Sequence, residues 1–276
     1  MKKILSTVLL LTLTAALLFT GCAKAPAPAP VAADADDTLI LKIGATPVPH
    51  AEILNFIKPQ LEAQGIELEI VEFTDYVNPN LALNSKDLDA NFFQHVPYME
   101  AFSREQKMEF VSAGKVHVEP LGLYSKKIST LEDLREGSLI AIPNDPTNGG
   151  RALILLDTEG LIKLKPDAGL EATERDIVEN PRNLKFKAID AAQLPRTLED
   201  VDAAVINTNY ALEAKLNPSA DALIIEGSES PYANIVTVRP DNKDSEAILK
   251  LIEVLQSEEV KQFILDKYEG AVVSAF

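Results

Sequence analysis

Ser138-Leu-Ile-Ala-Ile142 runs into Pro143-Asn-Asp-Pro-Thr-Asn-Gly-Gly-Arg151, and that turn runs into Ala152-Leu-Ile-Leu-Leu156. An apolar run of strand length, a Pro/Asn/Gly-punctuated turn and a helical run follow one another directly, which makes a strand–turn–helix unit. Thr147 or Asn148 can cap the helix. The first N–H groups of a helix are unbonded, and its dipole favours an anion at that end. Arg151 falls in the expected first turn, where a positive charge is unfavourable unless a carboxylate compensates it. A guanidinium grips a carboxylate with two hydrogen bonds. The blander alternative is a solvent-facing Arg151 paired with a surface Asp.

Similar units lie on either side. Leu39, Leu41 and Ile43 alternate with Ile40 and Lys42 and predict a strand that ends at Gly44. Ile53, Ile57 and Leu61 recur every four residues and predict a helix, kinked or shortened at Pro59. Ile66, Leu68 and Ile70 alternate with Glu67 and Glu69 as in a half-exposed strand. Further helices are expected around 96–107, 147–158, 208–215, 244–256 and 258–268, and further strands around 109–113, 138–142, 185–189, 203–206, 222–226 and 234–239. No internal repeat is visible. The alternation points to an α/β fold with mostly parallel strands. Val116–Tyr124 and Tyr232–Arg239 read as core strands or as the outward and returning connections of a two-lobed chain, with the C-terminal helices completing the first lobe.

The first residues have the layout of a secretory signal: Lys2 and Lys3, an apolar stretch from Ile4 to Phe19, then Thr20-Gly21-Cys22. The stretch falls short of the roughly 20 apolar residues that a spanning helix needs. Cys22 is the single cysteine, so no internal disulfide can form. Phe19-Thr20-Gly21-Cys22 resembles a lipobox, with Phe19 where Leu is usual, and implies a mature chain lipidated at Cys22. Residues 23–37, AKAPAPAPVAADADD, read as an extended, semi-rigid tether. Removing residues 1–21 would leave 255 residues, enough for one large domain or two lobes of about 100–150 each. The chain carries 26 Lys and Arg against 42 Asp and Glu, a formal charge of −16 that loss of Lys2 and Lys3 takes to −18. That balance argues against nucleic acid and against charge-driven adhesion to anionic lipid.

No catalytic motif is present: no GxSxG, P-loop, HExxH or CxxC. No enzyme activity and no cofactor are expected. His50, His95 and His117 with Glu119 lack a metal-ligand spacing, so no metal site is expected. Two further turns are informative. Val205-Ile206-Asn207-Thr208-Asn209-Tyr210 again joins strand to helix. Asn207 can be a simple N-cap, yet paired Asn residues at a strand's carboxyl end also offer amide oxygens to an ammonium group. Ala90-Asn91-Phe92-Phe93-Gln94-His95-Val96-Pro97-Tyr98, with Asp75-Tyr76 beside Pro79-Asn80, can be core or can wall a pocket for an apolar or thioether side chain. Phe92 and Phe93 should face opposite ways in an extended segment, with Phe93 to the pocket and Phe92 to the core.

GATPVPHAEIL, DYVNPN, LDANFFQHVPYME, PNDPTNGGRALILL and INTNYALEAKLNP, in that order, resemble the methionine-binding lipoproteins of ABC importers, the NlpA or MetQ family. The resemblance covers nearly all of the mature domain. It implies a two-lobed periplasmic-binding-protein fold of type II, with lobe 1 from 38–122 and 235–276, lobe 2 from 123–234, and ligand in the cleft. It places Tyr76, Phe93, His95 and Tyr98 around a methionine side chain. Arg151, assisted by Asn148, falls on the carboxylate, and Asn207, Asn209 and Asn234 on the amino-acid backbone. Implied partners are L-methionine or a close analogue, an ABC permease and ATPase complex, and the extracytoplasmic membrane face through lipid on Cys22. Alternatives are the same module binding another amino acid, D-methionine or a short methionine peptide. A metal-binding or adhesive surface lipoprotein, or an enzyme acting on small amino acids, is the more distant reading.

Overall fold

In the computed structural model residues 38–227 and 231–276 are described. The signal segment, Cys22 and the tether through residue 37 lie outside them. In chain order the elements are β1 (Leu39–Ala45), α1 (Glu52–Glu62), β2 (Ile66–Glu72), α2 (Asn78–Asn84), β3 (Ala90–His95), α3 (Val96–Gln106), β4 (Val111–Val118), β5 (Gly122–Tyr124), β6 (Leu139–Pro143) and α4 (Pro146–Thr158). There follow β7 (Lys163–Leu164), β8 (Ile177–Glu179), β9 (Lys185–Ile189), β10 (Ala203–Ile206), α5 (Thr208–Glu213), α6 (Pro218–Asp221), β11 (Ala222–Ile225), β12 (Ala233–Val238), α7 (Glu246–Leu255), α8 (Glu258–Tyr268) and β13 (Val273–Ser274).

Two sheets organise these elements. One runs β13-β4-β12-β3-β1-β2 and the other β11-β5-β10-β6-β9. Strands β3, β10 and β12 are buried at every residue, as central strands covered on both faces must be. The edge strand β2 instead alternates, with Ile66 and Leu68 inside and Glu67 and Glu69 outside. Helices α7 and α8 pack Ile248, Leu251, Leu255, Val260 and Ile264 against Leu41, Ile43 and Val236 of the first sheet. Helix α4 covers the second sheet with Leu153 and Leu156 over Ile140, Ile142 and Val205.

The expectation of mostly parallel strands needs correction. The pairs β1/β2, β1/β3, β6/β9 and β6/β10 are parallel. The pairs β3/β12, β4/β12, β4/β13, β5/β10 and β5/β11 are antiparallel. The reason is connectivity. β4 and β5 are consecutive, and so are β11 and β12, yet the members of each pair belong to different sheets. A strand that enters or leaves a sheet this way has no crossover helix to reverse it. The chain passes from the first sheet to the second over Glu119–Leu121; β11 ends in the second sheet at Ile225, and β12 is back in the first from Ala233, where Ala233 and Asn234 pair with Val118 and His117. Helix α1 also departs from expectation: it runs through Pro59 to Glu62 without being shortened, held by buried Ile53, Leu54, Ile57 and Leu61.

The turn ahead of α4 differs in detail as well. The N-cap is Asp145, followed by Pro146 in the first turn, and neither Thr147 nor Asn148. An acceptor directly before a proline that needs no N–H is a favoured helix start. The helix therefore begins earlier than expected, and Arg151 sits in its second turn. Gly150 lies where a Cβ would run into the Leu170 carbonyl oxygen and come within 2.7 Å of the Ala172 nitrogen. In an open helix Gly→Ala would add stability. Here Gly150→Ala is expected to cost about 1–3 kcal/mol by overpacking. A lowered thermal unfolding midpoint is the readout, and an unchanged or raised midpoint would show that the 170–172 backbone yields.

Candidate functional site

Between the two sheets lies a cavity of ≈ 20 Å³, lined by Tyr76, Phe93, His95, Tyr98, Asn148, Arg151, Asn207, Asn209 and Asn234 together with Gln94, Glu119 and Thr208. That is room for about one water, so a small-molecule ligand enters only if the walls move apart. The walls come from Tyr76 ahead of α2, the carboxyl ends of β3 and β10, the first turns of α3 and α5, the first two turns of α4, Glu119 on the outward passage and Asn234 at the start of β12.

One wall is aromatic. The rings of Tyr76, Phe93 and Tyr98 stand 5.8–6.0 Å apart, centroid to centroid. Phe92 points the other way and is fully buried in the first sheet's core. The hydroxyl of Tyr98 donates to the Tyr76 carbonyl at 2.9 Å, and that of Tyr76 donates to Asn209 Oδ1 at 2.6 Å. The hydroxyls are thus turned outward to fixed partners, and the ring surfaces are left for an apolar guest.

Opposite is a polar relay whose direction is set at one end. Asp145 carries two acceptor oxygens and takes both the backbone and the side-chain N–H of Asn148. The Asn148 amide is thereby fixed with its Oδ1 toward the cavity. That oxygen accepts from Asn207 Nδ2 at 2.9 Å and from His95 Nε2 at 3.3 Å. The Asn207 amide is fixed in turn, and its Oδ1 is left buried with no partner. Asn209 is the complement. Its Oδ1 is taken by Tyr76, and its Nδ2 is buried without a partner. Buried polar atoms are nearly always bonded, so an orphan acceptor beside an orphan donor marks a place where a polar ligand belongs.

Arg151 is only 3 % exposed. Its Nε donates to Glu226 Oε1 at 3.0 Å, and Nη2 reaches both Glu226 Oε2 and the Glu119 carbonyl, the latter at 2.8 Å. The Tyr232 ring lies 4.3 Å beneath the guanidinium carbon. The compensating carboxylate is therefore Glu226, from 75 residues away, and the guanidinium's remaining amino group, Nη1, has no hydrogen-bond partner among the described residues. His95 is held neutral: burial, with the Arg151 charge nearby, pushes its pKa down to about 3. Its Nδ1 accepts from the Tyr98 backbone N–H at 3.1 Å, which leaves Nε2 as the donor to Asn148.

Behind the cavity sits a second cluster. His117 Nε2 and His50 Nε2 lie 2.8 and 3.2 Å from Glu119 Oε1, and His50 Nε2 lies 3.1 Å from Asn234 Oδ1. Thr46 Oγ1 bonds His50 Nδ1 at 2.7 Å. His50, His117 and Glu119 converge with their ligand-type atoms within 4.8 Å of one another, whereas His95 is not among them. Burial drives the pKa of His50 to about 4 and of His117 to about 3. His117 is a neutral donor to Glu119 Oε1 and His50 to Asn234 Oδ1, while His117 Nδ1 is buried without a hydrogen-bond partner among the described residues.

The chain's family follows from comparison with known proteins. Residues 41–276 match the family model described as NlpA lipoprotein.

The chain belongs to the NlpA lipoprotein family.

Relatives in this family include the D-methionine-binding lipoprotein MetQ of Salmonella typhimurium, 46% identical over 78% of this chain and 80% of that one. Outer membrane lipoprotein 2 of Mannheimia haemolytica is 41% identical over 100% of this chain and 99% of that one. Among solved structures, a nutrient binding protein from Burkholderia cenocepacia bound to methionine is 48% identical with a TM-score of 0.83, covering 86% of this chain and all of that one. The fold shared with these NlpA-type proteins is two-lobed.

All nine cavity residues named from the sequence line this one cavity, but their polar atoms differ in what they have to offer. The Asn148 amide is spent on Asp145, His95 and Asn207, so it orients its neighbours. Asn207 occupies the N-cap position of α5 without capping it, because its side chain turns to Asn148. Asn234 gives its Oδ1 to His50. Three lining residues were missed. The Gln94 amide is consumed by Asn80, Asn91 and Thr237, and the Thr208 hydroxyl is tied to the Pro120 carbonyl, so both back the site. Glu119 was weighed only as a metal ligand. Its adjacency to His117 in His117-Val-Glu119 was visible, but a carboxylate's burial is not a local property. Glu226 had no sequence signal.

Among the described residues no helix is long and apolar enough to cross a membrane.

Proposed function

We propose that this chain captures L-methionine, or a close analogue, reversibly and without chemical change, and presents it to an ABC permease and ATPase complex. The observation that carries the reading is the unpartnered pair of Asn207 Oδ1 and Asn209 Nδ2 in a cavity that Arg151 and the aromatic wall also line. The Asn209 and Arg151 donors suit a ligand carboxylate and the Asn207 acceptor suits an ammonium group. The rings of Tyr76, Phe93 and Tyr98 suit a thioether chain, with His95 packed behind. The methionine bound to the Burkholderia cenocepacia relative supports the same assignment.

The lobes are residues 38–122 with 235–276 and residues 123–234, and the outward passage at Glu119–Leu121 serves as a hinge. A zwitterion gains contacts from both lobes only when they approach, so the ligand shifts the population toward the closed form. Asn234, at the start of β12 where the chain re-enters the first sheet, would feel both states. Lipid on Cys22 would hold the receptor at the extracytoplasmic membrane face, and the Ala/Pro tether would set its reach and its effective concentration near the importer.

Isothermal titration of L-methionine into protein refolded after denaturing purification tests the reading. Saturable heat is expected, and its absence would sink the proposal. The names of several relatives specify D-methionine. A competition panel of L-methionine, D-methionine and methionine dipeptides therefore ranks the ligands.

A further inference from the structure

The cavity's charges do not balance. Glu119 lines it and is 6 % exposed. Its Oε1 takes the Nε2 groups of His117 and His50 at 2.8 and 3.2 Å, and the backbone N–H of Asn209 also faces the carboxylate. Burial, the largest influence, pushes the Glu119 pKa up, and these donors oppose it by favouring the ionised carboxylate. Both imidazoles are neutral, so neither cancels its charge. No side-chain donor reaches Oε2 among the described residues. The one nearby full cation, Arg151, is already paired with Glu226. Asp145, half-buried at the N-cap of α4, adds a further carboxylate to the network through Asn148. One guanidinium thus faces at least two carboxylates, and a neutral amide such as Asn207 Oδ1 can orient an ammonium group but cannot supply its counter-charge.

We propose that Glu119 is the specificity-determining residue for a free, protonated α-amine, which restricts the site to zwitterionic amino acids and rejects the corresponding 2-hydroxy and N-acyl acids. The inference rests on the methionine reading above and names a requirement which that reading leaves open. The two histidines are positioning residues: His117 holds Oε1 by an uncharged hydrogen bond, His50 lies against it at 3.2 Å, and both leave the charge for the ligand. Removing a buried carboxylate's cation leaves that charge uncompensated, which is why the amine should matter more than its hydrogen-bond count implies.

Titration calorimetry on the full chain decides the matter with three probes: L-methionine, 2-hydroxy-4-(methylthio)butanoate and N-acetyl-L-methionine, each against the wild type and Glu119→Gln. The wild type should prefer L-methionine over both analogues by about 100-fold or more. Glu119→Gln should weaken L-methionine by about 100-fold while changing the hydroxy acid by less than about threefold, so that the preference collapses. The inference is overturned if the wild type binds the hydroxy acid within about threefold of methionine, a result independent of whether the variant folds. It is equally overturned if Glu119→Gln weakens both ligands alike, which would make Glu119 a structural brace. A wild type that binds none of the three probes removes the methionine reading itself, whereas methionine binding without amine selectivity removes only the role of Glu119.

Discussion

Arg151→Ala is expected to abolish measurable L-methionine binding while the chain still folds. Arg151 sits at the junction of α4, the outward passage and Glu226, and its Nη1 is the cationic donor that remains to meet a carboxylate. Truncating one partner of a buried, hydrogen-bonded charge pair costs about 2–5 kcal/mol, or roughly 30- to 5,000-fold in affinity. Folding should survive because the Glu226 carboxylate freed by the change is 18% exposed and can be solvated. Arg151→Lys should not rescue binding. An ammonium group cannot hold Glu226 through two nitrogens, reach the Glu119 carbonyl and still offer a donor to the ligand. Titration calorimetry beside thermal unfolding separates loss of the site from loss of the fold. Binding by Arg151→Ala within about threefold of the wild type would refute the assignment.

The second large effect is acid lability. His50, His95 and His117 are buried and neutral, with pKa values lowered by burial to about 4, 3 and 3. Their unfolded-state values lie near 6.5, so below that pH the unfolded chain takes up protons that the folded chain refuses. The stability they confer is fully present above about pH 6.5 and is lost progressively as pH falls toward 4. At pH 5 each histidine should cost about 2 kcal/mol and the three about 6 kcal/mol, comparable with the whole stability of many domains. Glu119 acts in the opposite sense. Burial raises its folded pKa, so its protonation returns some stability as pH falls. The net expectation is a thermal midpoint that drops steeply between pH 6.5 and pH 5. A midpoint that stays flat across that interval would show the histidines to be protonated, or accessible, in the folded protein.

The helices and strands were legible because their signals are local. Ala203–Ile206 is a run of four apolar residues and becomes a strand buried at each one. Ile53, Ile57 and Leu61 recur at helical spacing and line one buried face of α1. Phe92 and Phe93 part to opposite faces because an extended backbone alternates. The Asp145 N-cap was also present in the sequence, as an acceptor directly before Pro146, and the Asn and Thr downstream of it drew the reading away. Strand direction was not legible. Whether β12 runs with or against β3 depends on the sheet from which the chain returns, and no window of residues records that.

The turn around Arg151 marks the division most clearly. The sequence by itself determined that a strand, a turn and a helix would place this guanidinium near a helix start, among asparagines and aromatics that the fold would gather. Backbone preference and apolar periodicity are properties of neighbouring residues. Only the tertiary structure decided which atoms remain for a ligand. Glu226 takes one edge of Arg151 from 75 residues away, and Asp145, through Asn148, turns the Asn207 amide so that its oxygen is the unpaired atom. A hydrogen bond given to one partner is withdrawn from every other, so the free atoms of a buried site depend on the whole network and on contacts that no local stretch of chain contains.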